Sequence, residues 1–319
     1  MKLIQLGASL CLLLASSLSL ADSRQSINEV RTVSPNEQIS LEVMRGKVEI
    51  RGTNSNQFRV SGKLDEKAEG FTLDSKGGFT GFIVQMPRQL REQHQEKAQG
   101  SELIIELPVG SSVSFKGVNV DVKATNISGG TSLSTVNGSI NASALSNSVE
   151  LTSVNGDIQS QTLSGHVKLK TVNGKITDQG ASGRLNVESV NGKLQLNSQP
   201  QDLMLTVVNG EVSLALDGTQ QIEISTVNGN VELELKNQSA PRIKGSSVSG
   251  KFELKFPTAL DAKVSLKTTA GGGIKNSLTA DQPSRAKYGP ASNLQFSSGQ
   301  GTGNIEINTV SGRLEISKD

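Results

Sequence analysis

The sequence predicts an all-β protein: a parallel β-solenoid (β-helix) of roughly 18-residue coils, each made of two nine-residue units, behind a β-rich N-terminal cap. Three observations carry this expectation. The triplet Val-Asn-Gly begins at Val136, Val154, Val172, Val190 and Val208, always 18 residues apart. Between the triplets, apolar residues alternate with polar ones. Finally, only 3% of the 319 residues are aromatic, with no Trp and one Tyr, while Gly numbers 33. A compact globule draws much of its buried area from aromatic rings. A chain that avoids them has to fill a thin interior with Val, Leu and Ile.

The first element, residues 1–21, reads as a signal peptide. Lys2 supplies a positive start, Leu3 to Leu20 an apolar stretch broken by Ser and Gly, and Ser19-Leu20-Ala21 a small-x-small cleavage pattern. The mature chain is then expected to begin at Asp22. A retained membrane anchor is the competing reading, and it fits less well with a short, Ser-rich stretch followed by polar residues. Cys11 lies inside this element, preceded by Leu10 and a short lead, which fits a lipoprotein poorly. Once it is removed no cysteine remains, so neither disulfides nor thiol chemistry is expected. No later stretch is apolar enough for an integral membrane span in the mature chain. The expected location is therefore outside the cytoplasm, periplasmic or extracellular.

Charge discriminates little. The formal net charge is +2, and nucleic-acid binding would want a clustered basic face. No nucleic-acid partner is expected.

Residues 22–125 form the expected β-rich cap and first coils. Ile39-Leu41-Val43, Val48-Ile50 and Leu103 to Leu107 alternate like strands. The stretch 88–100 is polar all round and reads as a solvated loop or short exposed helix. A solenoid needs its open ends covered, because exposed strand edges invite aggregation.

Residues 126–319 form the expected solenoid. The triplet recurs at Val227, then as Val248-Ser249-Gly250 and Val310-Ser311-Gly312. Halfway between the early triplets stand weaker echoes at Ile127, Leu145, Leu163 and Ala181, which makes the underlying unit about nine residues. Pairs such as Val149 and Leu151, Val167 and Leu169, and Leu185 and Val187 give each unit one apolar side, as in a half-buried strand. The Asn-Gly and Ser-Gly pairs are read as turns, because both residues tolerate positive φ. Asn-Gly between alternating strands is also a hairpin signal. An antiparallel meander, however, would leave one apolar face needing a second layer that the sequence lacks. A coil folds its two apolar strips on each other, and like residues stack at a strand spacing of about 4.8 Å. Asn137, Asn155, Asn173, Asn191, Asn209 and Asn228 are then expected to form a structural amide ladder. A hydroxyl column of Thr135, Ser153, Thr171, Ser189 and Thr226, interrupted by Val207, runs beside it. Ser160 and Asp178 fall at inward positions and predict a thinner core there. Residues 199–201 and Asp217-Gly218 are expected to form outward loops.

Residues 266–275 resemble a degenerate repeat, and the pattern then breaks until 304–316. The interval of about 276–303, with two Pro, Tyr288 and several Gly and Ser, is read as an insertion between coils.

No catalytic, cofactor-binding or metal-binding residue stands out. His94 and His166 have no Cys or acidic cluster nearby. Gly156-Asp157 is the only triplet Gly followed by Asp, so no calcium-binding column exists. The Gly271-Gly272-Gly273 run lacks phosphate-loop spacing, and no Gly-x-Ser-x-Gly elbow is present. Asp157, Glu188, Glu211, Glu223, Glu232 and Glu234 are outward but scattered, whereas glycosidases pair their carboxylates. The expectation is a non-enzymatic protein without cofactor.

The run "ELIIELPVGSSVSFKGVNVDVKATNISGGTSLSTVNGSI" resembles the bacterial putative-adhesin family of β-strand-repeat envelope proteins, whose function is largely unassigned. The resemblance rests on Leu107-Pro108, Gly110-Ser111 and the triplets from Val136 onward, and extends over roughly residues 35–319. It implies an envelope location and a β-solenoid, and supplies no catalytic residues. The expected role is a binding, adhesin-like or scaffold module at the bacterial cell envelope, its ligand-binding residues unknown. Its partner would be an envelope component: a protein, the cell wall or a surface glycan. The alternatives are a β-helix carbohydrate-active enzyme and a self-assembling structural protein.

Overall fold

The computed structural model describes residues 24–87, 99–256 and 259–318. The expected signal peptide with Cys11, and most of 88–100 with His94, lie outside the described residues. Among these, the chain is all β: 22 strands joined in one mixed sheet, without a helix. The sheet is wound so that successive stretches alternate between two layers whose apolar sides meet in one core. The architecture is β-solenoid-like.

The middle of the chain runs through β7 (Ser112–Ile127), β8 (Thr131–Thr135), β9 (Ile140–Leu145), β10 (Ser148–Ser153), β11 (Ile158–Gln161) and β12 (Ser164–Asn173). The long β13 (Ile176–Asp217) and β14 (Gln221–Lys236) continue round the corners. Pairing here is parallel throughout. In the first layer Leu151 lies between Leu133 and Leu169; in the second, Ile158 lies between Ile140 and Ile176. These six side chains are fully buried. A residue facing inward must meet the same residue type on both neighbouring rungs, so the sequence repeats. Each such burial contributes roughly 1.5–3 kcal/mol relative to exposure. Later rungs tolerate longer spacings, because the extra residues leave through loops such as Asp217–Gln220, where Gly218 has φ 65°.

Both ends depart from chain order. β2 (Gln38–Thr53) is inserted between β7 on one side and the pair β5 (Phe79–Gln85) and β6 (Ser101–Pro108) on the other. The outer edges are closed by antiparallel strands. β4 (Gly70–Lys76) covers β5, while β3 (Gln57–Lys63) and β1 (Ser26–Thr32) cover β6. Gly77 and Gly78, both at positive φ, make the two-residue turn between β4 and β5, as a tight hairpin demands.

The C-terminal end repeats the device. β21 (Gly303–Thr309) slots between β15 (Arg242–Ser249) and β17 (Ala262–Thr268). β22 (Arg313–Lys318) slots between β16 (Lys251–Phe256) and β18 (Ile274–Ser277). The last rung in sequence is thus interior in space. The interval 276–303, read from the sequence as an insertion, holds β19 (Ser284–Arg285) and β20 (Ser292–Ser298); β20 returns antiparallel to β17 and covers the edge.

One turn assignment needs correction. Neither the Asn nor the Gly of the regular triplets adopts positive φ. The left-handed positions lie at the other corner, at Asn126, Ala144 and Thr162, and at Asn147, Gly165 and Gly183. The triplet glycine is required by close approach instead. A Cβ on Gly156 would stand 2.0 Å from the Gly138 carbonyl oxygen, and one on Gly174 2.2 Å from that of Gly156.

Candidate functional site

The triplets build one long corner of the solenoid. Asn155 Nδ2 donates to Asn137 Oδ1 at 2.8 Å, Asn173 to Asn155 at 2.9 Å, and Asn191 to Asn173 at 3.0 Å. Asn209 and Asn228 extend the ladder at 3.1 and 3.2 Å. It begins one rung earlier than the triplets indicate, at Asn119, which accepts from Asn137 at 2.8 Å. Gly117-Val118-Asn119-Val120 lacks the glycine after Asn, which hid this rung from the motif. At the far end, Ser249 Oγ donates to Asn228 Oδ1. Beside the ladder runs an apolar ridge: Val118, Val136, Val190, Val227, Val248 and Val310 are all 37–47% exposed.

The hydroxyl column lies just inside this corner, where Thr135, Ser153 and Thr171 donate to backbone carbonyls of the preceding rung. Among the described residues, the buried hydroxyls of Ser189 and Thr226 have no hydrogen-bond partner. Val207 is accordingly an apolar member of a column whose hydroxyls are not all used.

The outer side of the first layer carries mixed charge. Lys168 and Lys170 reach Glu188 at 3.5 and 3.3 Å, and Arg184 reaches Asp202 at 3.5 Å. His166 is exposed on the same side. An open groove of about 600 Å³ crosses this layer among Arg184, Asp202, Met204, Glu223, Arg242 and Lys244. Its net charge is close to balance, and its apolar part is Met204, half exposed, above the buried Leu203 and Ile222.

The far end of the second layer carries an ion network. Lys251 contacts Glu253 and Glu315 at 2.7 and 2.9 Å, and Lys255 contacts Glu232 at 2.6 Å. These partners raise the Lys251 pKa above the ordinary lysine value, and Lys251 in turn holds Glu253 below the ordinary carboxylate value. In such exposed positions the pairs contribute little to stability.

The carboxylates weighed as a glycosidase pair do not assemble one. Glu188 and Glu223 stand on the first layer, whereas Asp157, Glu211, Glu232 and Glu234 stand on the second. Asp157 accepts the Lys175 backbone N–H, and Glu211, Glu232 and Glu234 each face a lysine. Among the described residues, no cluster of His, Cys, Asp and Glu could hold a metal ion. Nor is any described helix long and apolar enough to cross a membrane.

One buried carboxyl stands apart. Asp178 is 1% exposed and accepts from Ser160 at 2.5 Å, from Ser198 and from the Ala181 backbone N–H. Burial raises its pKa, and the three donors only partly offset that.

The family match spans this whole assembly: residues 36–317 fit the Toastrack DUF4097 family. The chain belongs to the Toastrack family. Among curated proteins, none matches it. Two crystal structures resemble this Toastrack chain. One is a putative cell adhesion protein from Clostridium sporogenes ATCC 15579, 12% identical, with a TM-score of 0.22, covering 92% of this chain and 100% of its own. The other is a putative lipid binding protein from Parabacteroides distasonis ATCC 8503, 10% identical, with a TM-score of 0.43, covering 92% of this chain and 96% of its own.

Proposed function

We propose that this Toastrack protein is an exported, non-enzymatic binding or scaffold module of the bacterial cell envelope, its rigid core built from 18-residue coils. The observation that carries the reading is the continuous corner from Asn119 to Ser249, in which every rung is tied to the next. Such a rod presents a long, regular surface on which, among the described residues, neither a metal cluster nor the carboxylate pair of a glycosidase is assembled. Partner recognition by repetition is the use that repeat architectures suit. The covered ends favour a discrete module over an end-to-end filament, since β1, β4 and β20 block continued stacking.

The test is co-sedimentation of the mature chain from Asp22 with isolated cell-wall sacculi and, separately, with membrane vesicles, at low and moderate salt. Salt-resistant binding to either supports the module. Absence of binding to both would overturn an envelope-component ligand and direct the search to a soluble protein partner.

A further inference from the structure

The outer side of the second layer contains a stretch unlike the rest of the surface. Across β9, β11 and β13 it presents Asn141, Gln159, Gln161, Gln179, Gln195 and Asn197, with the hydroxyls of Thr177 and Ser213 between them. Gln159 sits beside Asn141 and Thr177 on neighbouring rungs, and Gln161 beside Gln179. None of these six amides makes a hydrogen bond through its side chain among the described residues. The contrast with the corner is direct: there, amides at the same rung spacing are consumed by one another. Here, each keeps a free carbonyl acceptor and a free NH₂ donor.

Shape and charge distinguish the stretch as well. Two shallow cavities of about 290 and 330 Å³ share Thr177 and Gln179 and so form one trough. Their floor is formed by Ala142, Ser160 and Asp178, which are small or polar, and toward the later rungs by Leu196 and Leu214. With Asp178 buried beneath the surface, exposed charge appears only at its borders. Lys123 lies at one end and Glu232 with Glu234 at the other. Along the corner side, Lys193 is neutralised by Glu211 at 3.2 Å, and Asp157 is engaged by the Lys175 backbone.

A charged polymer would find no exposed counter-charge along the middle of this trough, and an apolar ligand would find only the short patch of Leu196 and Leu214 at one end. A hydroxyl group, which donates and accepts as an amide does, matches it. Rungs about 4.8 Å apart are close to the length that one sugar ring adds to an extended chain. We propose that the amide trough of the second layer binds a neutral, extended glycan laid along the solenoid axis, one ring to a rung. The inference deepens the binding-module reading and rests on it. The glycan is held by hydrogen bonds to side chains, without the aromatic stacking that the sequence scarcely offers.

The experiment is calorimetric titration of the mature chain with cellohexaose, chitohexaose and mannohexaose, with hexagalacturonate as the charged counterpart. At least one neutral hexaose is expected to bind in a salt-insensitive way, and hexagalacturonate is not. Gln179→Ala and Gln195→Ala should each weaken binding by about tenfold with unchanged melting temperature, whereas Asn186→Ala on the first layer should change nothing. If no neutral hexaose binds, or if binding is indifferent to both glutamine variants, the inference is overturned. The two readings separate cleanly. Sacculus binding retained by the Gln179→Ala, Gln195→Ala double variant would preserve the envelope module and remove the glycan trough. Binding of a neutral hexaose by a chain that sediments with neither sacculi nor vesicles would do the reverse.

Discussion

Ser160 Oγ donates a hydrogen bond to Asp178 Oδ1 at 2.5 Å across two rungs of the second layer, inside the core. Both side chains occupy positions where a repeat built for packing would place Leu. Instead the interior holds a carboxyl closed in by Ser160 and Ser198, and this exception gives a prediction in pH.

Burial raises the Asp178 pKa above 3.8, so the folded chain holds this proton more tightly than the unfolded chain. Between the unfolded and the folded pKa the native state binds more protons, and stability falls as pH rises through that window. The contribution is fully present below the unfolded value and lost above the folded one. Asp178→Asn should therefore stabilise the fold at pH 7, with an advantage that shrinks as pH falls toward 3.8. Melting curves of both chains across pH 3 to 8 check this; parallel curves would show that Asp178 does not titrate in the folded core.

The glycine column gives a steric prediction. Gly174→Ala places a methyl group 2.2 Å from the Gly156 carbonyl oxygen, and backbone cannot yield as a side-chain tip would. The expected loss is about 1–3 kcal/mol in urea denaturation. Gly273, around which nothing lies within 4 Å, is the control: Gly273→Ala should stay within about 0.5 kcal/mol of the parent.

The Asn ladder should behave as a chain of coupled bonds. Asn173→Ala removes one bond to Asn155 and one from Asn191, and should cost about 1 kcal/mol because both are exposed. Adding Asn155→Ala should cost less than a second independent loss, since the two share a bond. A double-mutant cycle measures the coupling directly.

The inserted C-terminal rung makes a fourth prediction. Leu314 is 1% exposed between Phe252 and Ile274, so Leu314→Ala should cost about 2–5 kcal/mol, as much as a mid-solenoid substitution such as Leu151→Ala. A frayed terminal strand would lose far less, and equal losses in the two variants would confirm that the chain end is interior.

Most of the repeating body was legible in the sequence, because strand alternation and 18-residue spacing are local signals that survive without knowledge of the fold. Which way Leu151 points, which residues share a rung and that Asn155 stacks on Asn137 all follow from period alone. The role of the triplet glycine was not legible. Positive φ and a forbidden Cβ select the same residue, and only the position of the neighbouring carbonyl tells them apart.

The sequence by itself determined the all-β class, the rung register and the amide ladder, since each depends on residues one repeat apart. The tertiary structure decided the order of rungs at both ends, the enclosure of Asp178 and the unpaired state of Gln159 and Gln179. These depend on which distant segment fills an open edge and on which way a side chain turns once its neighbours are in place. Parallel strands accept any apolar rung of matching length, so sequence order and spatial order part wherever a hairpin can close the edge more fully than the next repeat would.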